Sequence, residues 1–276
     1  MKLSVALTPT RTVFSPLLFA GDIMRGIRRS SELGYDGIEL NIRDTLAEPM
    51  GDIIDAARSF ALHITAIGTG QSYLMDGLSF CSPDSAVRSR LTERLKHHID
   101  HAAQAGSMVV FGSVFGRMEE SAAVRDVQYK GAVDVARNLA DYAGSRGVLL
   151  AVEPINRYET NFIVNVEKAL SFISDVDRPA LRILLDTFHM NIEEADFGAA
   201  IARAGKLLAH VHLADSNRWA PGGGHIDFGP ILRALRAGGY DGFLSGEFLP
   251  LPDDDTAAAR NIAYLRPLLG QIAGGH

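Results

Sequence analysis

The 276-residue chain has a formal net charge of −6, with 47% hydrophobic and 22% charged residues and no low-complexity tract. Its Lys and Arg are dispersed and leave no basic face for a nucleic-acid backbone, and a single cysteine, Cys81, excludes an internal disulfide and a thiolate zinc site. No run approaches membrane-span length and the N-terminus is too weakly apolar for a signal peptide, so the expectation is a cytoplasmic protein that handles small molecules, with no membrane and no nucleic acid among its partners.

Short runs rich in Val, Ile and Leu alternate with longer amphipathic segments, the mark of βα units around a parallel sheet. LSVAL (3–7) is followed by helical periodicity over 21–33, GIEL (37–40) by 50–61, HITAI (63–67) by 84–105, and SMVVFG (107–112) by 121–145. VLLAVE (148–153) leads to 164–175, RILLD (182–186) to 192–204, LAHVHL (208–213) to 228–237, and GFLSGE (242–247) to 255–271. Gly stands at the helix-to-strand turns ELGYDG, SRGVLL and AGGYDG, where a helix C-terminus calls for positive φ. Eight strand–helix pairs without a linker predict a single α/β domain over 1–276, a (β/α)₈ TIM barrel.

In such a barrel the strands' C-terminal ends form the functional rim. Four consecutive strands, five to eight, end on Glu153, Asp186, His212 and Glu247. Singly, each has an ordinary explanation as a helix cap or a core histidine. Together, three carboxylates and an imidazole on one rim repel and desolvate one another unless a cation neutralises them. One divalent metal ion is therefore expected, and the oxygen-rich set with one nitrogen suits Mn²⁺, Co²⁺ or Mg²⁺ better than Zn²⁺. Glu159, His189 and Arg218 are further polar groups in the same loops, each with an ordinary explanation as a loop or surface residue. His210, two residues before His212, is expected to pack behind it, and His225 and Asp227 to brace a loop or cap a helix. The GTG and GGG stretches lack the pattern of a phosphate cradle.

The motifs VEPINRYET, LDTFHMNIEE, HVHLADSNRWAPG with GHIDF, and GYDGFLSGE resemble those of the ketose 3-epimerases (D-tagatose and D-psicose enzymes) of the xylose-isomerase-like superfamily. AIGTGQSYLMDGLSF and EFLPLP are most similar to the branch acting on keto sugar acids of the 5-keto-L-gluconate type. The resemblance implies an isomerase in which Glu153 and Glu247 are catalytic and also bind the metal with Asp186 and His212, while Glu159, His189 and Arg218 bind a ketose or keto sugar acid. One glutamate would take the proton beside the ketone and the other return it to the opposite face, through a metal-stabilised enediolate. A homodimer or homotetramer is implied in the same way. An aldose–ketose isomerase of the hydroxypyruvate-isomerase type, an apurinic endonuclease and a non-catalytic sugar-binding protein are the alternatives. Arg43 and Arg117, after the second and fourth strands, are candidates for capturing a substrate carboxylate.

Overall fold

In a computed structural model that describes residues 1–11 and 15–274, eight parallel strands form a closed barrel in the order β1 to β8. The strands are β1 Lys2–Leu7, β2 Gly37–Asn41, β3 His63–Gly68, β4 Met108–Phe111, β5 Leu150–Val152, β6 Leu181–Asp186, β7 Leu208–Leu213 and β8 Phe243–Gly246. Parallel strands are covered on both faces, so they read as continuous apolar runs; all five residues of β2 are buried. The ring closes where β1 pairs with β8, Val5 opposite Gly246, and β7 meets β8 with His212 opposite Ser245.

The helices are α1 Ile23–Leu33, α2 Met50–Ser59, α3 Gly70–Asp76, α4 Ser85–Ala105, α5 Ala122–Gly144, α6 Val166–Val176, α7 Thr187–Glu193, α8 Phe197–Ala204, α9 Phe228–Ala237 and α10 Asp254–Gly274. Two departures from the sequence expectation stand out. The short helix α3 fills what reads as loop after β3. The segment expected to be one helix over 192–204 is two helices, because Asp186 caps α7 straight from the strand and Asp196 caps a fresh start at α8 through the Ala199 amide. The two GYDG segments are equivalent turns: Gly34 and Gly239 adopt φ of 85° and 79°, a conformation that costs a side-chain-bearing residue free energy.

The chain packs as two compact units, residues 1–40, 51–65 and 185–276, and residues 41–50 and 66–184. In the first, α1 is tied to α10 by Arg29 Nε on Asp255 at 2.6 Å, and the buried Tyr35 hydroxyl donates to the Ala258 carbonyl at 2.9 Å while accepting from Asn261. In the second, Phe80, Phe111, Phe115, Phe162 and Phe172 form a tilted and edge-to-face aromatic cluster, which adds specific ring contacts to the burial of their apolar surface.

Candidate active site and metal centre

Strand β6 ends in Asp186, and the structure shows that residue doing two things. Its Oδ1 accepts the Phe188 amide at 2.7 Å and caps α7. That bond fixes the carboxylate with Oδ2 turned away from the helix, buried and without a hydrogen-bond partner. Arg218 Nη2 and His189 Nε2 stand 3.8 Å from it, beyond hydrogen-bond reach. Burial pushes the Asp186 carboxyl up to about 6, against the pull of Arg218 and with the help of the Glu247 charge.

Strand β7 presents His210 and His212, two residues apart and so on one side of the strand, both buried, with rings edge to face at a centroid distance of 5.5 Å. The Nε2 atoms of both face one carboxylate, Glu39 of β2, at 3.0 and 2.9 Å. His210 thus lies behind His212, as its spacing suggests. Glu39 is absent from the sequence candidates; the available signal was an acid in the middle of the apolar strand GIELN.

Glu247 follows β8 directly. Its Oε2 accepts from Arg218 Nη2 at 2.8 Å and lies 3.6 Å from His212 Nδ1. Burial opposes its charge, but His212 and Arg218 outweigh that cost and hold the carboxyl below its ordinary range. Arg218 reaches this position from a loop wound around Asp215, whose carboxylate accepts the amides of Ser216 at 2.7 Å, Gly222 at 2.9 Å and Ile226 at 3.0 Å. Arg218 itself sits at φ 60°, a left-handed conformation that a long side chain adopts only where its surroundings enforce it. Here the surroundings are bonds from the Arg218 amide to the Asp215 carbonyl and from the Leu249 amide to the Arg218 carbonyl, each 2.8 Å. The guanidinium lies over the Phe188 ring at 4.6 Å and 3.5 Å from His189 Nε2. His189 is buried, and burial together with Arg218 and His212 depresses its pKa well below the usual imidazole value, so it is neutral at neutral pH.

Glu153, the residue after β5, is buried. Gly112 makes its position possible, since a Cβ there would fall 2.3 Å from Glu153 Oε2. Glu159 is exposed and accepts from Asn156 Nδ2 at 2.8 Å. One ligand atom from each of Glu153, Asp186, His212 and Glu247 lies within 4.8 Å of the others, and Glu39, His210 and His212 form a second such group. The four-residue group fits a hard divalent ion: three carboxylates and one imidazole, among them a buried Asp186 oxygen with no hydrogen-bond partner.

The remaining sequence candidates fall outside this geometry. Arg43 places Nε 3.0 Å from Asp76 and shares that carboxylate with Arg94, which also approaches Asp44 at 3.4 Å. Arg117 is exposed, and its Nη1 donates to the Tyr158 carbonyl at 3.4 Å. His225 Nδ1 meets Ser216 Oγ at 2.9 Å, Asp227 caps α9 through the Gly229 amide at 3.0 Å, and Cys81 is buried with its thiol pushed up to about 12 by burial. Among the described residues no helix is long and apolar enough to cross a membrane.

A family model described as the xylose isomerase-like TIM barrel matches residues 27–268, and the chain belongs to that family. Within it, the chain is 33% identical over 262 residues to an L-ribulose 3-epimerase of Mesorhizobium japonicum, covering 93% of this chain and 85% of that protein. It is 29% identical over 254 residues to a 3-dehydro-D-guloside 4-epimerase of Escherichia coli, covering 90% and 95% respectively. A solved structure of L-ribulose 3-epimerase superposes with a TM-score of 0.84 at 26% identity, covering 99% of this chain and 95% of that one.

Proposed function

We propose that the chain is a metal-dependent sugar epimerase that inverts the carbon beside the ketone of a ketose or keto sugar acid. The observation that carries this reading is the buried group Glu153, Asp186, His212 and Glu247 with its unpartnered Asp186 oxygen. The names of the relatives, one epimerase acting at carbon 3 and one at carbon 4, support the reaction class and leave the position on the sugar to the substrate's ketone.

Inversion requires a proton to leave one face of a carbon and another to arrive on the opposite face, so two proton carriers serve where a simple isomerisation needs one. Glu153 and Glu247 take these roles and exchange them in the reverse direction. Arg218, 2.8 Å from Glu247, keeps that carboxylate ionised and ready to accept a proton. Neutral His189 and Arg218 hold neighbouring substrate oxygens, and Glu159 contributes from the loop after Glu153, so that the reacting carbon stays aligned. A divalent ion held by Glu153, Asp186, His212 and Glu247 supplies Lewis acidity that stabilises the negative charge developing as the proton leaves. Mn²⁺ suits this oxygen-rich set best, with Co²⁺ or Mg²⁺ as alternatives. The pairing of Arg43 with Asp76 weakens one of the three grounds for expecting an acidic substrate, the others being Arg117 and the motif resemblance. We further place the protein in the cytoplasm as a homodimer or homotetramer, with residues 1–276 acting as one domain.

The test is elemental analysis of purified protein followed by product analysis on ketoses and on the matching aldoses. One divalent ion per chain with ketose epimers as products supports the proposal. Aldose–ketose interconversion without epimers, or full turnover after exhaustive chelation, overturns it.

A further inference from the structure

We propose that Glu39 is a positioning residue for the metal centre: it clamps His210 and His212 so that the His212 Nδ1 lone pair is presented to the ion. The inference rests on the metal-site reading above and adds a residue that the reading does not contain.

Glu39 is fully buried in the middle of β2, with its backbone opposite Ala6 of β1. Taking a carboxylate out of water costs several kcal/mol unless it is paired and hydrogen-bonded. Among the described residues no Lys or Arg is paired with it. Its Oε2 instead meets His210 Nε2 at 3.0 Å and His212 Nε2 at 2.9 Å, and its Oε1 meets His212 Nε2 at 3.1 Å. An ionised carboxylate only accepts, so both imidazoles donate from Nε2. A neutral imidazole that carries its proton on Nε2 has its lone pair on Nδ1. In His212 that atom faces Glu247 Oε2 at 3.6 Å. Nδ1 is thus the atom turned to the carboxylates that would hold the ion, and Nε2 the atom turned to Glu39. The same carboxylate therefore fixes the tautomer, the ring orientation and the basicity of the nitrogen on the far side, the arrangement through which an acid behind a metal-bound histidine acts. His210 completes the clamp: its ring, edge to face with that of His212 at 80°, takes a share of the carboxylate and keeps Glu39 from turning aside.

The alternative is a purely structural cluster, in which Glu39 stabilises the barrel and has no bearing on the ion. Glu39→Gln distinguishes the two, because an amide keeps the volume but can donate to Nε2 and so drive the His212 proton onto Nδ1. We expect the folded variant to bind Mn²⁺ about 10- to 100-fold more weakly in a chelator competition. We also expect the histidine ¹⁵N spectrum of the metal-free wild-type protein to show His212 protonated on Nε2, and that signature to be lost in the variant. A folded Glu39→Gln protein whose Mn²⁺ affinity lies within twofold of wild type overturns the proposal, as does a wild-type His212 protonated on Nδ1 alone. So does a second bound ion at Glu39, His210 and His212, which would make Glu39 a ligand. Should the variant not fold, the wild-type tautomer still decides. A wild-type protein that binds no divalent ion at all would overturn the metal-site reading itself, which the tautomer measurement leaves untouched.

Discussion

Two clusters of charge, each built of side chains distant in sequence, show what separates a structural network from a site. Near the end of α3, Arg43, Arg94, Asp76 and Asp44 satisfy one another: two guanidiniums share Asp76, and Arg94 also faces Asp44. At the ends of β6 to β8, Asp186, His212, Arg218 and Glu247 do not close in this way. Arg218 spends its short contact on Glu247, Asp186 retains an oxygen without a hydrogen-bond partner, and the Asp186 carboxyl is driven up to about 6 while that of Asp76 is held down at about 2. The first cluster needs nothing further. The second leaves a buried carboxylate oxygen without a hydrogen-bond partner, beside groups that could hold a metal ion.

The comparison is broken most severely by removing the proposed proton carriers. Glu153→Gln and Glu247→Gln, each assayed with metal bound, are expected to lower epimerisation about 10²- to 10⁴-fold, the usual worth of a positioned acid or base. A variant that keeps a tenth of wild-type kcat would show that its glutamate does not carry the proton. Gly112→Ala acts one step further out. Its new Cβ would fall 2.3 Å from Glu153 Oε2 and must displace that carboxylate. A loss approaching 10²-fold in kcat is expected, since displacements of about 1 Å have that effect, and melting curves recorded alongside separate misplacement from unfolding.

The smallest effects belong to the closed network. Asp76→Asn and Arg43→Met should leave kcat on a neutral ketose unchanged and cost little stability, because Arg43 is 45% exposed and solvent screens the pair. The Arg43 and Arg94 guanidiniums outweigh the effect of burial and hold the Asp76 carboxyl at about 2, below its unfolded value. Its stabilising contribution is therefore fully present above pH ~4 and is lost as pH falls through about 2. Thermal melts of wild type and Asp76→Asn should differ at pH 6 and converge toward pH 2. A kcat/KM loss for Arg43→Met that is confined to acidic substrates would restore Arg43 as a carboxylate-binding residue.

The barrel was legible in the sequence because a strand covered on both faces leaves an unbroken apolar run, and an acid or histidine at its end is conspicuous. LRILLDTFHM shows this well: strand, cap and open carboxylate oxygen occupy six consecutive residues, Leu181 to Asp186. What was not legible depends on partners remote in the chain. Glu39 meets His210 across 171 residues, and Arg43, expected to face a substrate carboxylate, meets Asp76 across 33. The break between α7 and α8 escaped because Asp196 caps a helix in the midst of residues that could all continue one. Gly112 reads as an ordinary strand end until the Glu153 carboxylate is placed beside it.

The central claim, that carboxylates of this group exchange a carbon-bound proton on either face of a ketose, is tested most directly by turnover in heavy water. Metal-loaded protein is incubated with a ketose and its epimer is examined by NMR. The account predicts deuterium at the inverted carbon of the product, appearing with turnover and absent when Glu153 or Glu247 is replaced by Gln. Epimer that forms with its original protium retained at that carbon would contradict it.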